Sequence, residues 1–226
     1  MLKSAKERLL YTVGEYYRQV ILGCCLITVL GVWIVFGLMS RMVKAQTVGL
    51  QEGIAGEVIR FHVIANSNSD EDQELKMMVK ENVVGYMNDL LREVTTVEET
   101  RELILKNLDG IRDKAGQVIE EQGYGYEVTA QLEKCYFPMK SYGDITFPAG
   151  EYEALRVCIG EAVGRNWWCV IFPNLCFIDS IHAVVPQEQK EELKNVLTED
   201  EYDSLFSWKD SGDVRITMKV FEFLKQ

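Results

Sequence analysis

The chain has two histidines, His62 and His182, and a histidine-assisted cysteine or serine nucleophile would have to use one of them. His62 falls on a predicted strand, where a histidine is more often part of the hydrogen-bonded structure than a general base. A hydrolase remains an alternative if the fold brings His62 close to Cys135, Cys158 or Cys169. The G-x-S-x-G, P-loop, H-E-x-x-H and C-x-x-C motifs do not occur, so the sequence predicts no catalytic residues.

Four oxygen-bearing side chains stand at alternate positions before the first predicted amphipathic helix: Asn66, Asn68, Asp70 and Asp72. This spacing is that of ligands in an EF-hand calcium loop. However, Glu71 occupies the sixth place, where glycine is needed, and Met77 the twelfth, where a bidentate glutamate is needed. We therefore interpret the acidic residues as the first turn of a helix capped by Ser69, and expect neither a metal site nor a cofactor.

The chain begins with a basic segment followed by an uncharged run over residues 20–39. As a helix this run would span roughly the 30 Å of a bilayer core, and the bases before it predict a cytoplasmic N-terminus with the rest of the chain exported. Small residues at Val43 and Ala45 predict signal-peptidase cleavage between Ala45 and Gln46. A retained anchor is the alternative, because Arg41 and Lys44 place charge where a cleavage region is normally neutral.

The cysteines divide at the same boundary. Cys24 and Cys25 lie in the apolar run, whereas four others lie in the exported part, where disulfides persist: Cys135, Cys158, Cys169 and Cys176. Four cysteines allow three pairings. Cys169 with Cys176 is the pair that the intervening Pro173 favours, because a turn there would bring the two sulfurs together. Four buried free thiols are the alternative.

The hydrophobic periodicity predicts one α+β domain over residues 57–226, after a glycine-containing linker over residues 46–56. Strands are predicted at 57–65, 126–137, 152–160, 167–172 and 214–220. Helices are predicted at 69–93 and 96–123, with two shorter ones that begin at Pro186 and Thr198. This order favours a mixed or antiparallel sheet with the helices on one face.

Charge limits the classes of partner. Residues 1–45 contain six basic and two acidic side chains, so the net charge of −11 for the whole chain leaves −15 for residues 46–226. So acidic a domain is not a nucleic-acid binder, and an apolar fraction of 47% excludes a disordered chain.

Two stretches resemble the stage II sporulation protein R family. They are residues 60–84, RFHVIANSNSDEDQELKMMVKENVV, and residues 137–179, which contain FPAGEYEALRV and later NWWCVIFPNLCF. The resemblance implies an exported signalling protein rather than an enzyme. Such a protein is made in the forespore and exported into the space between the forespore and mother-cell membranes. There it activates a membrane-embedded aspartic protease, which processes the precursor of an early mother-cell sigma factor.

Six residues are candidates for contact with that partner: Trp167, Trp168, Glu153, Arg156, Asn66 and Asp70. Alternation along a strand places Trp167 and Trp168 on opposite faces, so one of the two rings is expected to anchor a partner. Glu153 and Arg156 are expected near it in strand register. The alternative classes are a hydrolase that acts on peptidoglycan or peptide, and a signal-anchored structural domain.

Overall fold

The computed structural model describes residues 5–176 and 184–207. Contacts divide the chain into one unit up to Gly49 and a second from Leu50 onward. Helix α1 runs over Ala5–Glu57, and its part from Gly14 is long and apolar enough to cross a bilayer. Its apolar side chains, among them Ile27 and Trp33, are exposed. A core helix of a soluble domain would bury such side chains.

The residues interpreted as a linker, 46–56, are helical and form the last turns of α1. Within the second unit, Ile54 is fully buried and the Gln51 side chain donates to the Glu151 carbonyl. A Cβ on Gly53 would collide with the Glu201 carboxylate. Through Gln51 and Ile54, this end of α1 packs within the second unit, whereas the sequence predicts a linker there.

The folded unit is built on a four-stranded mixed sheet. Its strands are β1 (Ile59–Ile64), β2 (Val128–Phe137), β5 (Gly150–Ile159) and β6 (Asn166–Phe172), in the order β2-β5-β1-β6. β1 and β5 are parallel, and the other two pairings are antiparallel. Parallel neighbours need a crossover connection, and the long segment between β1 and β5 supplies it.

Three helices cover one face of the sheet, which we call the helix face: α2 (Asp70–Leu91), α3 (Val97–Lys106) and α4 (Leu108–Glu121). Ser69 and Thr96 cap α2 and α3 as predicted, each accepting from a backbone N–H in the first turn. The helix predicted over 96–123 is two helices, because the chain breaks at Asn107, whose side chain donates back to the Leu103 carbonyl.

The opposite face, which we call the hairpin face, is covered in part by a hairpin that the sequence analysis did not predict, β3 (Lys140–Tyr142) with β4 (Ile145–Phe147). Helices α5 (Gln187–Val196) and α6 (Glu199–Ser207) join the end of α1 there. The α+β class with a mixed sheet is confirmed, but helices lie on both faces. The predicted strand over 214–220 lies outside the described residues.

Arg60 lies at the centre of the hairpin-face core and is fully buried. Its Nε donates to the Cys169 carbonyl at 3.1 Å and its Nη2 donates to the Tyr142 hydroxyl at 3.0 Å. The guanidinium carbon lies between 4.3 and 5.9 Å from the ring centres of Phe137, Tyr152, Phe147 and Tyr142. Cation–π contacts therefore compensate a buried charge that pairs with no carboxylate in the described ranges.

Candidate functional site

The end of the hairpin face that the hairpin leaves partly open carries five side chains that we call the Trp168 surface: His62, Glu133, Cys135, Arg156 and Trp168. His62 and Trp168 are directly opposite each other on β1 and β6, and their rings stack 4.9 Å apart at an interplanar angle of 10°. The Phe137 ring meets Trp168 edge-on at 4.7 Å. These contacts hold the indole in one orientation while part of it stays accessible.

Arg156 and Glu133 form the polar side of this surface, because β5 and β2 place them on the same face. Arg156 Nη1 donates to Glu133 Oε1 at 2.6 Å, and each side chain is 37% exposed. A pair this accessible contributes little to stability. It remains available for charged contacts with a partner.

His62 Nε2 lies 3.6 Å from Cys135 Sγ, so the fold meets the geometric condition that keeps the hydrolase alternative open. The electrostatics oppose it. Burial, and then the nearby Arg156 charge, lower the pKa of His62 to about 4. Burial, and then the Glu133 charge, raise the pKa of Cys135 to about 11. At neutral pH both groups are uncharged, whereas a cysteine nucleophile needs its thiolate.

The other nitrogen of the His62 ring supports the same reading. Nδ1 is buried and has no hydrogen-bond partner among residues 5–176 and 184–207. A general base in a catalytic triad has a third group that orients it through this nitrogen. The pair therefore has the distance of a catalytic pair without its charge state or its orienting group.

The structure separates the partner-contact candidates that lie on the strands. Trp168 and Arg156 belong to the Trp168 surface. Trp167 lies on the helix face, where it packs against Phe61 at 6.2 Å between ring centres. Glu153 is also on the helix face and pairs with Arg101 of α3 at 2.8 Å. Glu153 and Arg156 are close in sequence but point to opposite sides of β5.

Asn66, by contrast, is engaged in the turn that joins β1 to α2. Its Nδ2 donates to Asp72 at 2.9 Å, and its Oδ1 accepts the Glu161 N–H at 3.0 Å. Burial alone would raise the pKa of Asp72, but hydrogen bonds from Ser67 and Asn66 lower it. Asp70 is exposed at the start of α2. The described residues contain no cluster of three or more metal-binding side chains.

Two glycines show why this turn has its particular sequence. A Cβ on Gly160 would meet the Asn66 side chain, and a Cβ on Gly164 would meet the Ser67 carbonyl. The Gly164 N–H donates to the Ala65 carbonyl at 3.0 Å. The turn and the loop after β5 therefore pack backbone against backbone, which only glycine permits.

The cysteines at the end of β6 are arranged as the favoured pairing requires. Cys169 and Cys176 are at disulfide distance, joined by a turn whose Phe172–Pro173 peptide is cis. Cys135 and Cys158 are free and half-buried on the hairpin face.

Comparison with known proteins gives a family. The model of the family described as stage II sporulation protein R matches residues 55–182, which include every strand of the sheet. The chain belongs to the stage II sporulation protein R family. It is 37% identical over 164 residues to stage II sporulation protein R of Bacillus subtilis (strain 168), an alignment that covers 70% of this chain and 73% of that protein. No solved structure matches.

Family membership supports a role in sporulation and confirms the resemblance carried by residues 60–84 and 137–179. Trp168 was a candidate contact and the approach of His62 to Cys135 was left open, but the stacking of His62 on Trp168 beside Cys135 was not predicted. Each of them lies on a predicted strand. Their contacts depend on which strands are neighbours and in what register, and neither is readable from local patterns.

Proposed function

We propose that this protein is an exported sporulation signal that activates a membrane-embedded aspartic protease, which then processes the precursor of an early mother-cell sigma factor. The observation that carries the proposal is the family match across the whole sheet. The apolar part of α1 is compatible with a signal anchor, and the basic side chains before it favour export of the folded unit, which supports the proposal.

The Trp168 surface is the contact site that we infer for this protease. An aromatic ring held by its neighbours and flanked by an accessible ion pair has the composition of a binding hot spot with a polar rim. Activation then needs only that the protease bind this surface better in its active arrangement than in its inactive one. Asp70 remains a second candidate contact, on exposure alone.

The test is co-expression of the full chain with the host's candidate aspartic protease and sigma precursor in a non-sporulating bacterium, with a blot for the processed precursor. Processing should depend on this chain. Trp168→Ala should lose processing, while Trp167→Ala, a change of the same size at the next residue but on the opposite face, should retain it. Equal levels of exported protein control for folding. Equal processing by both variants would contradict the contact site, and no dependence on the chain would contradict the function.

The Cys135–His62 distance supports a second candidate function, that of a cysteine hydrolase. The two functions predict opposite results for Cys135→Ser in the same assay. A signal keeps its activity, because the serine hydroxyl conserves the shape of the surface. A cysteine hydrolase loses it with the nucleophile.

The N-terminal segment offers a separate test. Ala45 and Gln46 lie within α1. Sequencing the N-terminus of the mature protein decides between cleavage after Ala45 and a retained anchor. Retention would tether the signal to the membrane across which it is exported.

A further inference from the structure

The two edges of the sheet differ in how far the described residues cover them. At the β6 edge, the carbonyl of Trp168 accepts from the Tyr142 hydroxyl at 3.2 Å, and the carbonyl of Val170 accepts from the Leu175 N–H at 3.1 Å. The hairpin and the turn before Cys176 therefore block this edge. Covering an edge in this way prevents other chains from pairing with it.

Nothing in residues 5–176 or 184–207 covers the β2 edge in this way. β2 is ten residues long, pairs one-to-one with β5 without a bulge, and contains no proline. On its outer side no backbone group of residues 5–176 or 184–207 pairs with it. A typical strand has about five or six residues, and proteins usually interrupt a long edge with a bulge or a proline. A lysine on the edge strand also discourages pairing, and β2 has one, Lys134.

One hydrogen bond identifies which backbone groups of β2 face outward. The Gly160 N–H donates to the Glu127 carbonyl at 2.8 Å, at the start of the β2–β5 ladder. In an antiparallel ladder the bonded pairs alternate. Odd-numbered residues of β2 therefore bond to β5, and the even-numbered ones direct their N–H and C=O groups to the open edge. These are Val128, Ala130, Leu132, Lys134 and Tyr136.

The side chains of β2 define what kind of strand fits beside it. On the helix face, Val128, Ala130 and Leu132 are half-buried at the margin of the core. On the hairpin face, Glu127 is exposed and supplies negative charge, and Glu133 is accessible although it is paired with Arg156. A complementary strand would alternate apolar side chains on the first face with basic side chains on the second.

We propose that the β2 edge binds an extended segment of the partner, of alternating apolar and basic residues, as a fifth strand of the sheet. This rests on the proposed function, since that partner is the protease. A second copy of the chain fits less well, because the net charge of −15 over residues 46–226 makes two copies repel. Backbone pairing would supply affinity, and the alternation would supply specificity.

The test uses two variants of the full chain at one exposed position. Lys134→Pro removes an outward N–H and leaves the β5 ladder intact, while Lys134→Ala keeps the N–H and serves as the reference. In the co-expression system, capture of the protease by Lys134→Pro should fall about tenfold or more relative to Lys134→Ala, together with processing. Equal capture by both variants would overturn the edge pairing. A wild-type chain that captures no protease would instead overturn the proposed function.

Amide hydrogen exchange of the wild-type chain keeps the proposal testable if Lys134→Pro fails to fold. The amides at even positions 128 to 136 should exchange fast in the free chain and slowly in the complex, while those at odd positions stay protected in both. Even-position amides that are already protected in the free chain would overturn the proposal, because residues 208–226 or a second copy would then cover the edge. Exchange of these amides at the same rate in the free chain and in the complex would also overturn the proposal.

Discussion

His62 should make the folded unit less stable in mild acid. Its pKa is lowered to about 4 in the folded chain, chiefly by burial and then by the Arg156 charge, from a usual value of 6.5. Between these two values the unfolded chain binds a proton that the folded chain does not. The stabilisation is therefore complete above pH 6.5, falls as the pH is lowered through this window, and is lost below pH 4.

The size of the effect follows from the two pKa values. Linkage gives a loss of about 2 kcal/mol between pH 7 and pH 5, and about 3 kcal/mol for the full shift. Typical stabilities are about 5–15 kcal/mol, so a loss of this size is readily measured. His62 is 4% exposed, so solvent screening reduces the figure little.

The measurement is urea unfolding of the full chain in detergent micelles at pH 7 and pH 5, for the wild type and for His62→Gln. Only the wild type should show the additional loss at pH 5, because glutamine does not titrate. Every carboxylate and the other histidine, His182, are present in both proteins, so the difference between the two pH dependences isolates His62. Equal pH dependences would refute the assignment of a buried neutral imidazole.

Three further changes test the packing. Arg60→Lys should lower the free energy of unfolding in urea by about 3 kcal/mol, because lysine cannot make both guanidinium hydrogen bonds among the four surrounding rings. An unchanged unfolding midpoint would contradict a stabilising role for these contacts. Cys176→Ser should cost about 2.5 kcal/mol if an eight-residue disulfide loop constrains the unfolded chain, and reducing agent should then affect only the wild type. Gly164→Ala should lower the free energy of unfolding by about 2 kcal/mol, because the added Cβ collides with the Ser67 carbonyl. Gly116→Ala has open space around it and should not destabilise the fold. Similar free energies of unfolding for the two variants would contradict the close packing at Gly164.

Local patterns predicted the elements whose causes are local. The α2 helix begins after Ser69 because that hydroxyl caps it, and the cap is readable from the sequence. The β3–β4 hairpin also had a local signal that the sequence analysis did not use, Gly143 followed by Asp144. The structure shows Gly143 at φ 57°, as a two-residue hairpin turn requires.

Contacts between distant residues could not be predicted in this way. The glycines of residues 46–56 indicate a linker, and only the contacts of Gln51 and Ile54 show that the end of this segment packs within the second unit. The same holds for Cys135, which lies 73 residues from His62 in the chain. Its contact depends on the order β2-β5-β1 and on the register of these strands, which are properties of the assembled sheet.

The environment that keeps the Cys135–His62 pair neutral also fixes the orientation of Trp168, the residue that we propose binds the partner. Burial keeps the imidazole uncharged, and an uncharged ring stacks on the indole without the cost of desolvating a cation. With Phe137 against its edge, Trp168 has already lost much of its rotational freedom before a partner arrives. A binding surface that is ordered in advance costs less entropy at association. His62 thus supports the indole that we propose as the contact residue, and that support requires no proton transfer.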